Sequence, residues 1–325
     1  MKKLTKFIGI AFLAVSALSC SSDSESKPTI VDIASNNADF TTLVRALERT
    51  NLVSTLDGTG QFTVFAPTNA AFSTFFASLG SGVTVENVDV NVLKNILLNH
   101  VIATEIKSGA LPAATYAPTL SPINSSANAP TISIFVQKSG STVTINGGVD
   151  SKGAVVTTAD LDARNGVIHV VNRVIQIPTL VDHVVDNPDF DTLQTVVTSA
   201  EQAAVLAALS GLTPSAPATL FAPNNAAFTT ALGAGGFANG ATAAQVTKVL
   251  QYHVTTAGNV RANQLSNNQV VPMFTSPVQN VTIILGTGTV DVRDTANNLS
   301  RVFQADIQAS NGVIHGVNRV LQPAL

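Results

Sequence analysis

Histidine is the side chain whose ordinary pKa lies nearest neutrality, so repeated histidines are the first place to look for acid–base or metal chemistry. This chain of 325 residues has five. Four form repeat-related pairs: His100 with His253 (253 − 100 = 153) and His169 with His315 (315 − 169 = 146). One member of each pair in each half could offer two neutral imidazoles to a zinc ion. A catalytic zinc site takes a third protein ligand and an open position, and no further Cys, His or carboxylate recurs beside these residues in both halves on this reading. His100 and His253 also lie on apolar helical stripes, where an imidazole bonded to a backbone carbonyl is the ordinary arrangement. The expectation is a structural role for His100, His169, His253 and His315, with no catalytic, cofactor-binding or metal-ligating residue. His183 aligns with Ile33 and has no partner in the repeat.

Nucleophilic catalysis has less support still. No Gly-x-Ser-x-Gly elbow is present, and the single cysteine, Cys20, lies in the leader. Asp39 and Asp189 are expected to cap helices, where a carboxylate satisfies orphan amides and favours the dipole. Asp32 and Asp182, slightly earlier, read as turn or cap residues.

The elements that must position the histidines can be read around them. Asn165-Gly-Val-Ile-His-Val-Val-Asn-Arg-Val-Ile175 returns as Asn311-Gly-Val-Ile-His-Gly-Val-Asn-Arg-Val-Leu321. The Asn-Gly pair predicts a type I′ hairpin turn, both of whose central residues need positive φ. The run after it is apolar on both faces, with Val167, Val171 and Ile175 on one and Ile168, Val170 and Val174 on the other. Such a strand is central, buried and last in its domain. Leu93, Ile96, Leu97 and His100 share a helix face, as do Val246, Val249, Leu250 and His253. A further helix is predicted from Asp39, and a short strand over 62–66 leads to a helix capped by Thr68, with Asn224 or Asn225 as its counterpart. Strands are expected over 131–137, 143–146, 154–161 and 167–175, and over 281–285, 289–293, 301–308 and 313–321.

Asp39-Phe-Thr-Thr-Leu43 and Val64-Phe-Ala-Pro-Thr-Asn-Ala-Ala-Phe72 also return, as Asp189-Phe-Asp-Thr-Leu193 and Leu220-Phe-Ala-Pro-Asn-Asn-Ala-Ala-Phe228. A period near 150 residues in unchanged order means tandem domains rather than a solenoid. Helices first and a meander of strands afterwards argue for an α+β fold. The expected divisions are a leader over 1–20, a polar tether over 21–28, and domains over 29–178 and 179–325.

Only 11% of the residues are charged and the formal net charge is −3, which leaves no basic stripe for a nucleic-acid partner. No apolar stretch after residue 20 reaches the length needed to cross a bilayer. Residues 1–20 read as a secretory signal, with Lys2, Lys3 and Lys6 before an apolar run. The segment Ala17-Leu18-Ser19-Cys20 resembles a bacterial lipobox, although Ala17 stands where Leu is more usual. That resemblance implies lipidation of Cys20 and membrane attachment through it. The acidic residues of Ser21-Ser-Asp-Ser-Glu-Ser26 resemble surface-export signals, which implies a place on the outer membrane facing the exterior. A periplasm-facing or secreted protein is the alternative. With no second cysteine, the domains must be held by packing rather than disulfides.

The Phe-Ala-Pro-Thr-Asn-x-Ala-Phe motif, the helix ending in Tyr-His and the terminal Asn-Gly-Val-Ile-His-x-Val-Asn-Arg motif resemble fasciclin domains, twice over, from about residue 29 to 325. Asn69 and Asn225 depart from the family pattern where Asp is usual, as do Asn172 and Asn318. The resemblance implies two tandem domains, each a twisted β-sheet wedge packed with short helices. It also implies a non-enzymatic role in adhesion to extracellular matrix, polysaccharide or a cell-surface protein. In related eukaryotic proteins the Tyr-His segment is associated with adhesion, which makes Tyr252 and His253 candidate contact residues, whereas Asn99-His100 does not match. The alternative function is a binding module with a small hydrophobic or glycan ligand in a domain groove. It is motivated by the Gly-rich stretch 233–240 carrying Phe237, which the first domain lacks in that form.

Overall fold

The computed structural model describes residues 27–236 and 238–325. The expectations placed on residues 1–26, including lipidation of Cys20, and on Phe237 lie outside the described residues.

The first domain opens with helices α1 (Ile30–Ser35), α2 (Thr41–Arg49) and α3 (Val53–Leu56), then strand β1 (Phe62–Pro67), α4 (Asn69–Leu79) and α5 (Val90–Asn99). Strands β2 (Val101–Ile102), β3 (Ala114–Pro122), β4 (Thr131–Ser139), β5 (Thr142–Ile145), β6 (Ala154–Ala163) and β7 (Gly166–Val171) follow. The second domain repeats the plan with α6 (Leu180–Asp186), α7 (Asp191–Val197), α8 (Ala203–Ser210), β8 (Ala218–Pro223), α9 (Asn225–Leu232) and α10 (Ala243–Gln251). It ends with β9 (Val254–Thr255), β10 (Val270–Pro272), β11 (Asn280–Gly286), β12 (Thr289–Arg293), β13 (Leu299–Ala309) and β14 (Gly312–Val317). Each domain is α+β, built on a seven-stranded sheet, ordered β2-β1-β7-β6-β5-β4-β3 in the first and β10-β11-β12-β13-β14-β8-β9 in the second.

Strand β7 lies between β6, antiparallel, and β1, parallel, so it is flanked on both edges as its two-sided apolar pattern requires. Ile168, Val170 and Val174 pack towards the helices with Phe40, Leu47, Phe72 and Leu97. Val171 and Ile175 turn to a second core enclosed by the strands, with Phe65, Ile134 and Ile145. β14 divides two cores in the same way.

The hairpin into β7 forms, but not as a type I′ turn. Ala163 pairs with Gly166, so the loop is Arg164-Asn165, and neither residue has positive φ. The glycine answers a different need, because a Cβ on Gly166 would overlap the backbone carbonyl of Phe62 on the parallel neighbour. Gly312 meets Ala218 in the same way. The asparagine works through its side chain. Asn165 Oδ1 accepts from Ile30 N at 3.0 Å, and its amide donates to the carbonyls of Leu56 and Gly58. Pro28 O accepts from Arg164 N at 2.9 Å, so the start of the described chain is tied to this turn.

Two local expectations need correcting. Asp39 and Asp189 are not caps: Asn37 and Asn187 are, each accepting the amide of the following aspartate at 2.9 Å, and α2 begins at Thr41. Asp32 and Asp182 do close capping boxes with Thr29 and Thr179. Thr68 and Asn224 are the caps of α4 and α9. β3 carries Pro118 and Pro122, which demote a run of residues as a strand and hide it in the sequence. They are tolerated because β3 is at the edge of its sheet.

The domains meet directly. Gln308 N donates to Ser133 Oγ at 3.0 Å, Asn187 Nδ2 donates to Tyr116 Oη at 3.2 Å, and Lys152 Nζ lies 3.0 Å from Asp182. The Tyr116 ring stands edge-on to His183 with centroids 5.4 Å apart. Ser151 Oγ donates to Asp186, whose carboxyl burial pushes up to about 6.

Candidate functional site: the duplicated histidines

His100 follows the last turn of α5 and is fully enclosed. Its Nε2 accepts from Ile175 N at 2.8 Å, and an acceptor nitrogen carries no proton. The proton therefore sits on Nδ1, which donates to Ile96 O at 2.7 Å. His253 repeats both bonds, to Val249 O at 2.7 Å and from Leu321 N at 2.9 Å. Burial holds both imidazoles neutral, lowering each to about 4.

The strand histidines take the opposite tautomer. His169 Nδ1 accepts from Asp160 N at 3.2 Å and its Nε2 donates to Ile106 O at 3.0 Å. His315 accepts from Asp306 N at 3.3 Å and donates to Val260 O at 2.9 Å. Their rings lie against Phe65 and Phe221, and burial lowers His315 below the usual histidine range. All four rings thus spend both nitrogens on backbone groups, leaving no lone pair for a metal and no proton placed for transfer. Nor are the two histidines of a domain brought together. His169 shares the strand-side face of β7 with Val171, whereas His100 lines the helix-side cavity with Ile168.

The geometry also brings in residues that the sequence reading left out. A carboxylate does recur beside the strand histidine in both halves: Asp160 and Asp306, at the same offset of 146. Each sits in a β-bulge with left-handed φ of 61°, a conformation aspartate tolerates better than most residues. Asp160 accepts from Ser108 N at 2.7 Å and Ser108 Oγ at 2.5 Å. Asp306 accepts from Ala262 N at 2.8 Å and Arg261 at 3.4 Å. The order Ser108–Asp160–His169 puts the carboxylate in the middle, so the imidazole has no hydroxyl to activate. In a hydrolytic triad the imidazole stands between the other two. Ala262 occupies the corresponding place in the second copy.

Tyr252 and His253 do not form an exposed contact. Tyr252 is fully enclosed, with its hydroxyl donating to Asn280 O at 2.7 Å, and His253 is buried behind it. Tyr252 fastens the end of α10 to β11 and His253 ties it to Leu321, which removes these side chains from any partner's reach. The asparagines that depart from the family pattern have work of their own. Asn69 Oδ1 accepts from Thr42 N while its amide donates to Ala38 O, and Asn225 bonds Thr192 and Pro188 alike. A carboxylate could not make the second bond. Asn172 and Asn318 accept from Val155 N and Arg301 N.

With this geometry in hand, the comparisons decide the family. The Fasciclin domain model matches residues 38–178 and again 188–323. The chain belongs to the fasciclin-domain family. It is 35% identical over 170 residues to protein sll1483 of Synechocystis, an alignment covering 50% of this chain and 81% of that protein. Human periostin is 27% identical over 292 residues, 87% of this chain and 31% of periostin. Among solved structures, a FAS1 domain pair from the insect cell adhesion molecule fasciclin I is similar at 17% identity, covering 85% of this chain and 92% of that one with a TM-score of 0.48.

Both fasciclin domains hold a matching apolar cavity between helices and sheet, of about 20 Å³, lined by Leu43, Leu97 and His100 in one and Leu193, Leu250 and His253 in the other. Such a void has room for about one water and none for a hydrophobic ligand. Larger spaces lie on the outside: about 650 Å³ between α2, α4 and the loop after α4, and about 340 Å³ between α9 and the segment following β14.

Proposed function

We propose that this protein is a non-enzymatic adhesion module whose two fasciclin domains contact extracellular matrix, polysaccharide or a neighbouring cell surface, held to the bacterial outer membrane by a lipid on Cys20. The observation that carries the reading is the joint between the domains. The Ser133–Gln308 and Tyr116–Asn187 bonds fix the two copies as one unit, while the repeated polar residues are consumed internally. Two weak surface contacts presented on one unit multiply rather than add, which suits a binder that works through broad surfaces.

Deletion of the gene tests this, with attachment to matrix-coated and polysaccharide-coated surfaces as readout. Reduced attachment restored by the intact gene, but not by a Cys20→Ala form, supports both the role and the anchor. Unchanged attachment in the verified deletion strain rejects the adhesion reading.

A further inference from the structure

We infer that the second domain carries a binding pocket for a small ring-bearing carboxylate, opened where the repeat exchanges Phe75 for Ala231. Phe72 and Phe228 align, so Phe75 corresponds to Ala231 and Val174 to Val320. In the first domain Phe75 is buried in the core that includes Val174. In the second, Ala231 and Val320 are also core residues, but the shorter side chain leaves both lining an outer pocket of about 340 Å³, a volume within the range of small-molecule sites. The helix contributes too: α9 ends after eight residues where α4 runs for eleven. The chain then folds back closely enough that a Cβ on Gly236 would overlap the carbonyl oxygens of Thr230 and Ala231.

Among the described residues, the pocket has one cation in its lining. Arg319 lines it and makes no side-chain hydrogen bond or ion pair among the described residues, although its counterpart Arg173 is bonded to Val149 O in the first domain. Asp294, which reaches the lining residue Gln322, is committed to the amides of Gln322, Ala296 and Asn298. Thr230 Oγ1, which donates to Ala226 O at 3.4 Å, keeps lone pairs for a ligand hydroxyl. A guanidinium fork pairs with a carboxylate through two parallel hydrogen bonds. The apolar wall of Ala227, Ala231 and Val320 suits a ring behind that carboxylate better than a bare inorganic anion. The wider first-domain cleft lacks this feature, since its Arg45 is paired with Glu86.

Ligand-observed saturation-transfer NMR on the full chain tests the site, with benzoate and glucuronate as probes and sulfate as competitor. Transfer to at least one carboxylate is expected, with benzoate alone indicating an aromatic acid and glucuronate a sugar acid. Arg319→Gln should weaken it at least tenfold, and Arg173→Gln should leave it unchanged. Ala231→Phe should abolish it by restoring the side chain the first domain already holds. Ala231→Leu gives a second, smaller filling should the phenylalanine variant fold poorly. No transfer from either probe overturns the proposal. So does transfer that survives both Arg319→Gln and the filled pocket, or displacement by equimolar sulfate. These readouts do not depend on attachment, so the site and the adhesion role stand or fall separately.

Discussion

His100 and Ile175 are 75 residues apart, yet the imidazole Nε2 of the first accepts the amide hydrogen of the second at 2.8 Å. The same ring donates to Ile96 O, so one side chain joins the end of α5 to the segment that leaves the central strand. His253 makes the equivalent junction to Leu321. Replacing His100 by Ala strands a buried amide and a buried carbonyl and opens a void, a combined loss of about 3–5 kcal/mol. Urea unfolding should place His100→Ala in that range and His253→Ala close to it. A loss under 1 kcal/mol in both would contradict the junction.

The same burial sets a pH dependence. His100, His183 and His253 are lowered to about 4 by burial, below their unfolded value of about 6.5. The unfolded chain then binds more protons, so stability is complete above pH 6.5 and is lost as pH falls towards 4. Each imidazole contributes up to about 3 kcal/mol across that window. Thermal melts between pH 8 and 4 should show a steep fall below pH 6.5, reduced in a His183→Gln variant.

Asp186 at the domain joint opposes this trend. Burial raises it to about 6, above the unfolded value, so its contribution is full below pH 4 and fades as pH rises through 6. Asp186→Asn should therefore gain on the wild type by about 2 kcal/mol between pH 4 and pH 8. Melting both proteins across that interval checks it; a constant difference would mean that Asp186 titrates normally.

Gly166 tests the close approach of β7 to β1. Gly166→Ala forces a methyl group onto Phe62 O and should cost more than about 3 kcal/mol or prevent folding. Gly109→Ala, which meets nothing within 4 Å, should change stability by under about 0.5 kcal/mol. Equal effects from the two would remove the steric explanation.

Phe303 lies over Gly316, with its ring where a side chain on the glycine would go. The first domain divides the same space as Thr157 and Val170. Phe303→Ala should cost about 1 kcal/mol. Gly316→Val should be worse alone, and Phe303→Thr combined with Gly316→Val should recover most of the loss. Strict additivity in that double-mutant cycle would deny the coupling.

Much of this was legible in the sequence because it repeats. The shared order of motifs gives two domains, and the apolar stripe bearing His100 foretells a backbone-bonded imidazole. Asp160 was legible in principle, since Ala159-Asp160 recurs as Ala305-Asp306. It escaped because a bulge breaks the alternation by which strand neighbours are counted. Ser133 and Gln308 could not be matched at all: 175 residues separate them, and only the docking of β4 beside β13 makes them partners. Ala231 is silent until a folded Phe75 supplies the comparison.

The ties at Asn165 have a mechanical consequence. Tension drawn through Lys27 reaches the first domain at Pro28 O, Ile30 N and the Lys27–Asp162 contact. The load therefore enters at the turn between β6 and β7 and passes along the strand most deeply embedded in the sheet. Tension on Lys27 is thus delivered to the turn of a strand flanked on both sides, by β6 and β1, rather than to an edge strand of the sheet.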